Sequence, residues 1–434
     1  MNSFFKLKNI CTRITDGSHY SPIGTDKGFP MLSVKDMREN GFDYSNCKFI
    51  SNQDYNTLVR NDCKPLLNDV LIAKDGSYLK HVFVVKNEIN QAILSSIGIL
   101  RPDLNLINPH YLKYYLQTKS VKETVAKKYV SGSALPRIIL KNFGEIDILK
   151  PDLSTQQKIA SVLSALDDKI ELNNNINIEL EQMAKTIYDY WFVQFDFPNE
   201  DGKPYKSSGG KMVYNEVLKR EIPTKWEISV FNNWIENTKT GDWGKDKIEG
   251  NYTERVYCIR GADINGLNGK GEVKAPERFI LKNNLSKKLQ PNDFIIEISG
   301  GSPTQSTARI ALLTKESFER FDTNVVCSNF CKAITLKDET YVYNFQQEWQ
   351  RLYDAGIFFG YEGKTSGIKN FLFESFMDSY FVVEPPKELV LKFNSFAKEI
   401  ERKRQLNLKQ NQELSNLRDW LLPMLMNGQV KVVD

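Results

Sequence analysis

Six short polar clusters carry the residue types in this sequence that could do chemistry. Thr15-Asp16-Gly17-Ser18-His19-Tyr20-Ser21-Pro22 is a turn bearing donors, acceptors and an aromatic ring, and Lys74-Asp75-Gly76-Ser77-Tyr78-Leu79-Lys80 is another. Lys239-Thr240-Gly241-Asp242-Trp243-Gly244-Lys245 resembles the first in place and composition, and Ser299-Gly300-Gly301-Ser302-Pro303-Thr304-Gln305-Ser306-Thr307 matches the second. Ser131-Gly132-Ser133-Ala134-Leu135-Pro136-Arg137 and Gly363-Lys364-Thr365-Ser366-Gly367-Ile368-Lys369 form a third pair. The chemistry these suit is recognition of a nucleic acid. Lys, Arg, Ser, Thr and backbone amides hold phosphates, while Arg, Lys, Gln and Asn read base edges in the major groove. The candidates in the first half are Ser18, His19, Tyr20, Lys35, Lys74, Ser77, Tyr78, Lys80 and Arg137. Those in the second half are Lys239, Thr240, Trp243, Lys245, Arg260, Ser302, Thr304, Gln305, Lys364, Thr365 and Lys369. A single such cluster reads better as a plain surface loop; recurrence in both halves is what points to a shared binding face.

Catalytic signatures do not emerge. The strings nearest to an amino-methyltransferase motif are Asn108-Pro109-His110-Tyr111 and Glu384-Pro385-Pro386-Lys387, and neither qualifies. Gly363-Lys364-Thr365 lacks the glycine a phosphate loop needs at position 358, which is Phe358. No catalytic residue is assigned. The six cysteines form no Cys-x-x-Cys pair and His19, His81 and His110 are scattered, so no metal site is expected and the thiols read as reduced.

Two long helices must position the clusters. The first is expected from about Ser154 to Gln194, capped by Ser154 or Thr155. Its seam steps through Ile159, Leu163, Leu166 and Ile170, then Asn173 and Asn177, then Leu180, Ala184, Ile187 and Trp191. The second is expected from about Lys387 to Met426. The two align at a constant offset of 234, which pairs Leu172-Asn173 with Leu406-Asn407, Glu179-Leu180 with Glu413-Leu414, and Asn177 with Asn411. Asn68-Asp69-Val70 and Asn292-Asp293-Phe294 echo each other at a slightly different offset, as loop insertions would produce. The chain therefore reads globular, helix, linker, globular, helix. The expected segments are 1–152, 153–196, 197–225 (a Pro-, Gly- and Ser-rich linker), 226–385, and 386–428 with a tail to 434. Short strands are expected at Asp69–Ala73, Val82–Val85, Gly98–Leu100, Gly144–Leu149, Arg255–Arg260, Asp293–Ile298, Arg309–Leu313 and Ser379–Val383, and helices at Pro109–Thr118 and Tyr343–Tyr353. This is an α+β architecture, repeated once.

Composition fits. The chain has 434 residues, 41% hydrophobic and 26% charged, enough for at least two packed cores and too apolar for a disordered chain. No apolar run reaches the ~18 residues of a membrane span, and no signal peptide opens the sequence, so a cytoplasmic location with no membrane partner is expected. The net charge is +4, but residues 1–150 alone carry +7, which permits a polyanionic partner.

Several strings together resemble the specificity subunits of Type I restriction–modification systems. They are Leu153-Ser154-Thr155-Gln156-Gln157-Lys158-Ile159-Ala160, Ala165-Leu166-Asp167-Asp168-Lys169-Ile170, Ile187-Tyr188-Asp189-Tyr190-Trp191-Phe192, Glu221-Ile222-Pro223-Thr224-Lys225-Trp226, and Leu421-Leu422-Pro423-Met424-Leu425-Met426-Asn427-Gly428. The resemblance implies two target-recognition domains, each reading one half of a bipartite double-stranded DNA site, joined by two antiparallel, coiled-coil-like helices. It implies a non-catalytic chain that binds no cofactor. Two modification subunits would supply S-adenosylmethionine and the methylating site, and restriction subunits would add ATP- and Mg-dependent translocation and cleavage. The alternatives are a solitary DNA-binding regulator, or a stand-alone methyltransferase or nuclease with a diverged site. Two further expectations follow from the helix pair. An antiparallel register places Asn173 near Asn411 and Asn177 near Asn407, and the outer residues Tyr188, Trp420 and Met424 are expected to dock the modification subunits.

Overall fold

A computed structural model describes residues 3–75, 79–131, 137–302, 304–365 and 367–432. The chain divides into two compact units, each made of a globular part and a portion of both long helices. The first comprises residues 1–170 and 413–434, the second 171–412. The fold is α+β.

In the first unit the central sheet has four antiparallel strands in the order Cys11–Asp16, Ile97–Pro102, Val70–Ala73, Val82–Val84. Val70 to Ala73 is buried at every position, which is why it reads as an unbroken apolar run and not as an alternation. The helix Pro109–Gln117, capped by the Asn108 side chain, lays Tyr111, Leu112 and Leu116 against that sheet. A second sheet sets Phe29–Leu32 between Lys48–Ile50 (antiparallel) and Ala92–Ile93 (parallel). Ser3–Lys6 pairs with Asp147–Lys150, and Val130–Ser131 with Arg137–Ile138.

The second unit repeats this plan strand for strand. Its four-stranded sheet runs Ile235–Thr240, Cys331–Leu336, Phe294–Glu297, Ile310–Leu312. Tyr252–Ile259 lies between Glu277–Leu281 (antiparallel) and Val325–Cys327 (parallel). Glu227–Val230 pairs with Phe381–Glu384, and Glu362–Thr365 with Ile368–Phe371. The helix Val342–Asp354 takes the place of Pro109–Gln117. Phe345 and Trp349 fill the core, and the Trp349 indole N–H donates to the Ala308 carbonyl at 2.8 Å. The repeat extends to the turns. Asn68 and Asn292 both take left-handed backbone (φ 71° and 72°) before a fully buried aspartate, Asp69 or Asp293.

The long helices run Leu153–Tyr188 and Lys387–Met426. The first is capped not by Ser154 or Thr155 but by Asp152, whose carboxylate accepts from the Thr155 amide at 2.9 Å and its hydroxyl at 2.8 Å. The second ends at Gly428, at φ 71°, after the helical turn that contains Pro423. The segment expected to be a linker contains regular structure. Met212–Asn215 and Arg220–Pro223 form a hairpin, and Phe197 stacks between Tyr205 and Trp226 at ring distances of 4.6 and 5.2 Å.

Candidate nucleic-acid interface

The first polar loop of each unit is fixed by a glycine. Strand Cys11–Asp16 runs into Gly17, and the Ser18 amide then donates to the Ile93 carbonyl at 2.8 Å. A Cβ at position 17 would lie 2.2 Å from that carbonyl oxygen. In the second unit the Asp242 amide donates to the Cys327 carbonyl at 2.8 Å, and a Cβ at Gly241 would meet the Ser328 oxygen at 2.0 Å. The loop backbone thus lies directly on the neighbouring strand, an approach that any side chain would block. Past the lock, His19 and Tyr20 stand in solvent, with Tyr20 65% exposed. In the second unit Thr240, Trp243 and Lys245 are exposed, and the Arg278 guanidinium packs 4.2 Å over the Trp243 ring.

Several charged candidates are not free to meet DNA. Lys74 is buried against Asp16. Lys239 donates to Asp293 at 2.6 Å, where Thr335 also donates at 2.6 Å. Arg260 makes a two-pronged contact with Asp263 at 2.8 and 3.0 Å and donates to the Lys274 carbonyl at 2.7 Å. The Asp263 hydrogen bonds raise the Arg260 pKa above its ordinary value. Lys369 lies 3.1 Å from the buried Glu362. The cause is common to all four. A buried carboxylate costs several kcal/mol unless a cation sits beside it, and these cations sit beside one. Ser18 is also corrected: it is buried, and its hydroxyl donates to the Tyr20 carbonyl at 2.6 Å, shaping the turn.

Lys35, Lys80, Thr304 and Gln305 are exposed. Ser302 accepts from the Gln305 amide at 3.1 Å and is half-buried. Ser77 and Tyr78 lie outside the described residues, as do the side chains of Arg137, Lys364 and Thr365.

On the helix pair, Asn173 Nδ2 donates to Asn411 Oδ1 at 2.9 Å and to Gln410 at 2.8 Å. Asn407 Nδ2 donates to Asn177 Oδ1 at 2.8 Å. All four asparagines belong to the second unit. Tyr188 is not an outer residue: it is 4% exposed, and its hydroxyl donates to Glu348 at 2.8 Å inside the core. The misplacement follows from helix geometry. A straight helix drifts ~20° per heptad against a 3.5-residue repeat. From Ile159 to Ile187 that amounts to about 80°, close to the ~100° between neighbours. The buried stripe therefore passes from position 187 to Tyr188 and then to Phe192. Trp420 remains 57% exposed and Met424 is half-buried.

Two buried polar residues, Asp167 and Gln156, join segments distant in the sequence. Asp167, 3% exposed, accepts from Lys113 at 2.6 Å, Tyr114 at 2.6 Å and Arg418 at 2.9 Å. Burial would raise its carboxyl pKa, but the Lys113 charge and these three donors outweigh that and hold it below the ordinary value. Gln156 is fully buried; it accepts from the Asn108 amide at 2.8 Å and donates to the Pro151 carbonyl at 2.8 Å. Both lie in the strings that carried the family resemblance, but apart from Pro151 their partners lie far off in sequence. Among the described residues no group of three or more His, Cys, Asp or Glu is placed to hold a metal, and no helix is long and apolar enough to cross a membrane.

Comparison with known proteins agrees with this architecture. Residues 3–182 match the family model of the Type I restriction modification DNA specificity domain. The chain is 28% identical over 332 residues to the Type I restriction enzyme MjaIX specificity subunit of Methanocaldococcus jannaschii, spanning 75% of this chain and 69% of that relative. It is 23% identical over 445 residues to the HindI specificity subunit of Haemophilus influenzae, spanning 92% and 94%. The crystal structure of a Type I restriction–modification S subunit from M. genitalium shares the fold, with a TM-score of 0.56 over 98% of this chain and 96% of that one, at 15% identity. Residues 3–182 thus match the Type I DNA specificity domain, and over most of its length the chain is similar in sequence to Type I specificity subunits.

Proposed function

We propose that this chain is the non-catalytic, sequence-reading subunit of a Type I restriction–modification complex, each unit reading one half of a bipartite DNA site. The observation that carries this reading is the strand-for-strand repeat, with a glycine-locked loop at the same place in each copy. A non-palindromic two-part site needs two different readers, and two copies of one scaffold carrying different loop residues provide them. The first reader presents His19, Tyr20, Lys35 and Lys80, and Ser77, Tyr78 and Arg137 are assigned to it from the sequence. The second presents Thr240, Trp243, Lys245, Thr304 and Gln305, with Lys364 and Thr365. A helix of 40 residues is about 60 Å long at ~1.5 Å per residue, enough to set a half-site spacing of about one DNA turn, ~34–36 Å. Trp420 and Met424 dock modification subunits, two per chain. S-adenosylmethionine, ATP and Mg belong to those and to the restriction subunits.

The test begins by mapping methylated adenines in the host to define the site. Binding of the complex is then measured on duplexes with either half scrambled. Tyr20→Ala should relax discrimination in one half-site by about 1–3 kcal/mol per lost base contact, and Trp243→Ala in the other. If Tyr20→Ala and Trp243→Ala alter the same half-site, the division of labour fails. Methyl transfer by the isolated chain would refute the non-catalytic role.

A further inference from the structure

The second unit contains a polar cavity that the DNA-reading role does not use. It measures about 210 Å³ and is lined by Arg220 from the hairpin, by Asn344, Glu348 and Arg351 from the helix Val342–Asp354, and by Tyr188 and Trp226. Glu348 is fully engaged. Its two oxygens take Arg351 at 2.9 and 2.6 Å, and one of them also accepts from Tyr188 at 2.8 Å. Arg220 has no such partner. Its guanidinium packs 4.7 Å over the Phe195 ring and makes no ion pair among the described residues. Burial, and then the neighbouring charge of Arg351, lower its pKa. Asn344 is 2% exposed, and its side-chain nitrogen meets no acceptor in the protein.

Two guanidiniums against one carboxylate leave a surplus positive charge in the cavity, beside a buried donor with nothing to donate to. We propose that this cavity binds a small oxyanion, of the phosphate or carboxylate class, through Arg220 and Asn344. The guanidinium fork matches the two oxygens that either class presents. The volume lies below the ~300–1,000 Å³ that encloses a drug-sized ligand, which favours a small ion over a nucleotide. The source is either free inorganic phosphate or a carboxylate, such as an acidic side chain of another protein.

The full chain is titrated with sodium phosphate and, separately, with sodium acetate, by calorimetry and by intrinsic tryptophan fluorescence, against sodium chloride at matched ionic strength. Saturable one-site binding of phosphate without acetate assigns the site to phosphate; acetate binding assigns it to carboxylates. Arg220→Gln should weaken binding about 10-fold or more, the usual worth of a charge-assisted hydrogen bond. The exposed neighbour change Lys219→Gln should leave binding unchanged. Asn344→Asp places a carboxylate inside the cavity and should abolish binding, which keeps the test decisive if Arg220→Gln does not fold. No saturable binding of either anion overturns the proposal. So does undiminished binding in folded Arg220→Gln or in Asn344→Asp.

Discussion

Replacing Asp167 with alanine should unfold the first unit more readily than any surface change. The side chain is buried, and three donors converge on it: Lys113 from the helix Pro109–Gln117, Tyr114 beside it, and Arg418 from the second long helix. Lys113 is itself 5% exposed, and its other acceptor is the neutral Asn40 carboxamide at 3.0 Å. Removing the carboxylate therefore leaves a buried ammonium without a counter-charge. Breaking one side of a buried pair in this way costs about 3–5 kcal/mol. For a unit of 150–250 residues each kcal/mol shifts the melting point about 2–4 °C, giving a fall of roughly 6–20 °C. Urea unfolding, with hydrogen exchange at amides of the helix Pro109–Gln117, reads the loss locally. Lys113→Met in the same chain removes the stranded charge and should restore much of the stability, so the pair is strongly non-additive. A loss below 1 kcal/mol for Asp167→Ala, or an equal loss with and without Lys113→Met, would refute the argument. The pH dependence has a fixed sign. The folded carboxyl titrates below its ordinary value, so its stabilisation is fully present above the unfolded pKa of about 3.9 and is lost as pH falls through the folded value. Asp167→Asn should flatten that acid limb.

On the helix pair, Asn177→Leu alone should cost about 1–3 kcal/mol by stranding the Asn407 amide. Asn177→Leu with Asn407→Leu should recover that loss in urea titrations while relaxing register, seen as additional cross-links between engineered cysteine pairs. Gly17→Ala drives a methyl group into the Ile93 carbonyl and should cost about 1–3 kcal/mol, with DNA binding lost in step with stability. Trp420→Asp lies on an exposed site, so its unfolding free energy should stay within about 0.5 kcal/mol of the parent, while co-purification of the modification subunit weakens; intact assembly would remove Trp420 from the docking surface.

Much of the fold was legible because the chain states it twice. The offset of 234 between Asn173 and Asn407 and the Asn-Asp pairs at 68 and 292 are local signals, and the expected strands at Val70, Val82, Phe294 and Ile310 follow from apolar runs. The helices Asn52–Arg60 and Lys119–Lys128 leave little periodic signal in the sequence, since each is short and buries only two residues. The hairpin at Met212–Pro223 was hidden by its Ser-Gly-Gly lead-in, which looks like a tether until Phe197 is seen stacked on Trp226. A strict heptad places Tyr188 on the outer face, whereas the helix keeps its own 3.6-residue period and carries it into the core.

The candidate site was harder to read, and for a single reason: a sequence shows which residues carry charge but not which charges are already neutralised. Lys74, Lys239, Arg260 and Lys369 each look like phosphate ligands in a polar loop, yet each balances a buried acid. With those four removed, the exposed candidates of described side chains are mostly uncharged: Tyr20, Thr240, Trp243, Thr304 and Gln305, with His19 beside Asp16, against Lys35, Lys80 and Lys245. Phosphate contacts add affinity for every sequence alike, whereas hydroxyls, amides and rings act through groove shape and base edges. On the proposed reading, then, the loops contribute selectivity. The sequence-independent attraction falls to the remaining basic surface of the first unit, whose residues 1–150 carry +7, and it is that contribution which salt should weaken while the preference between half-sites persists.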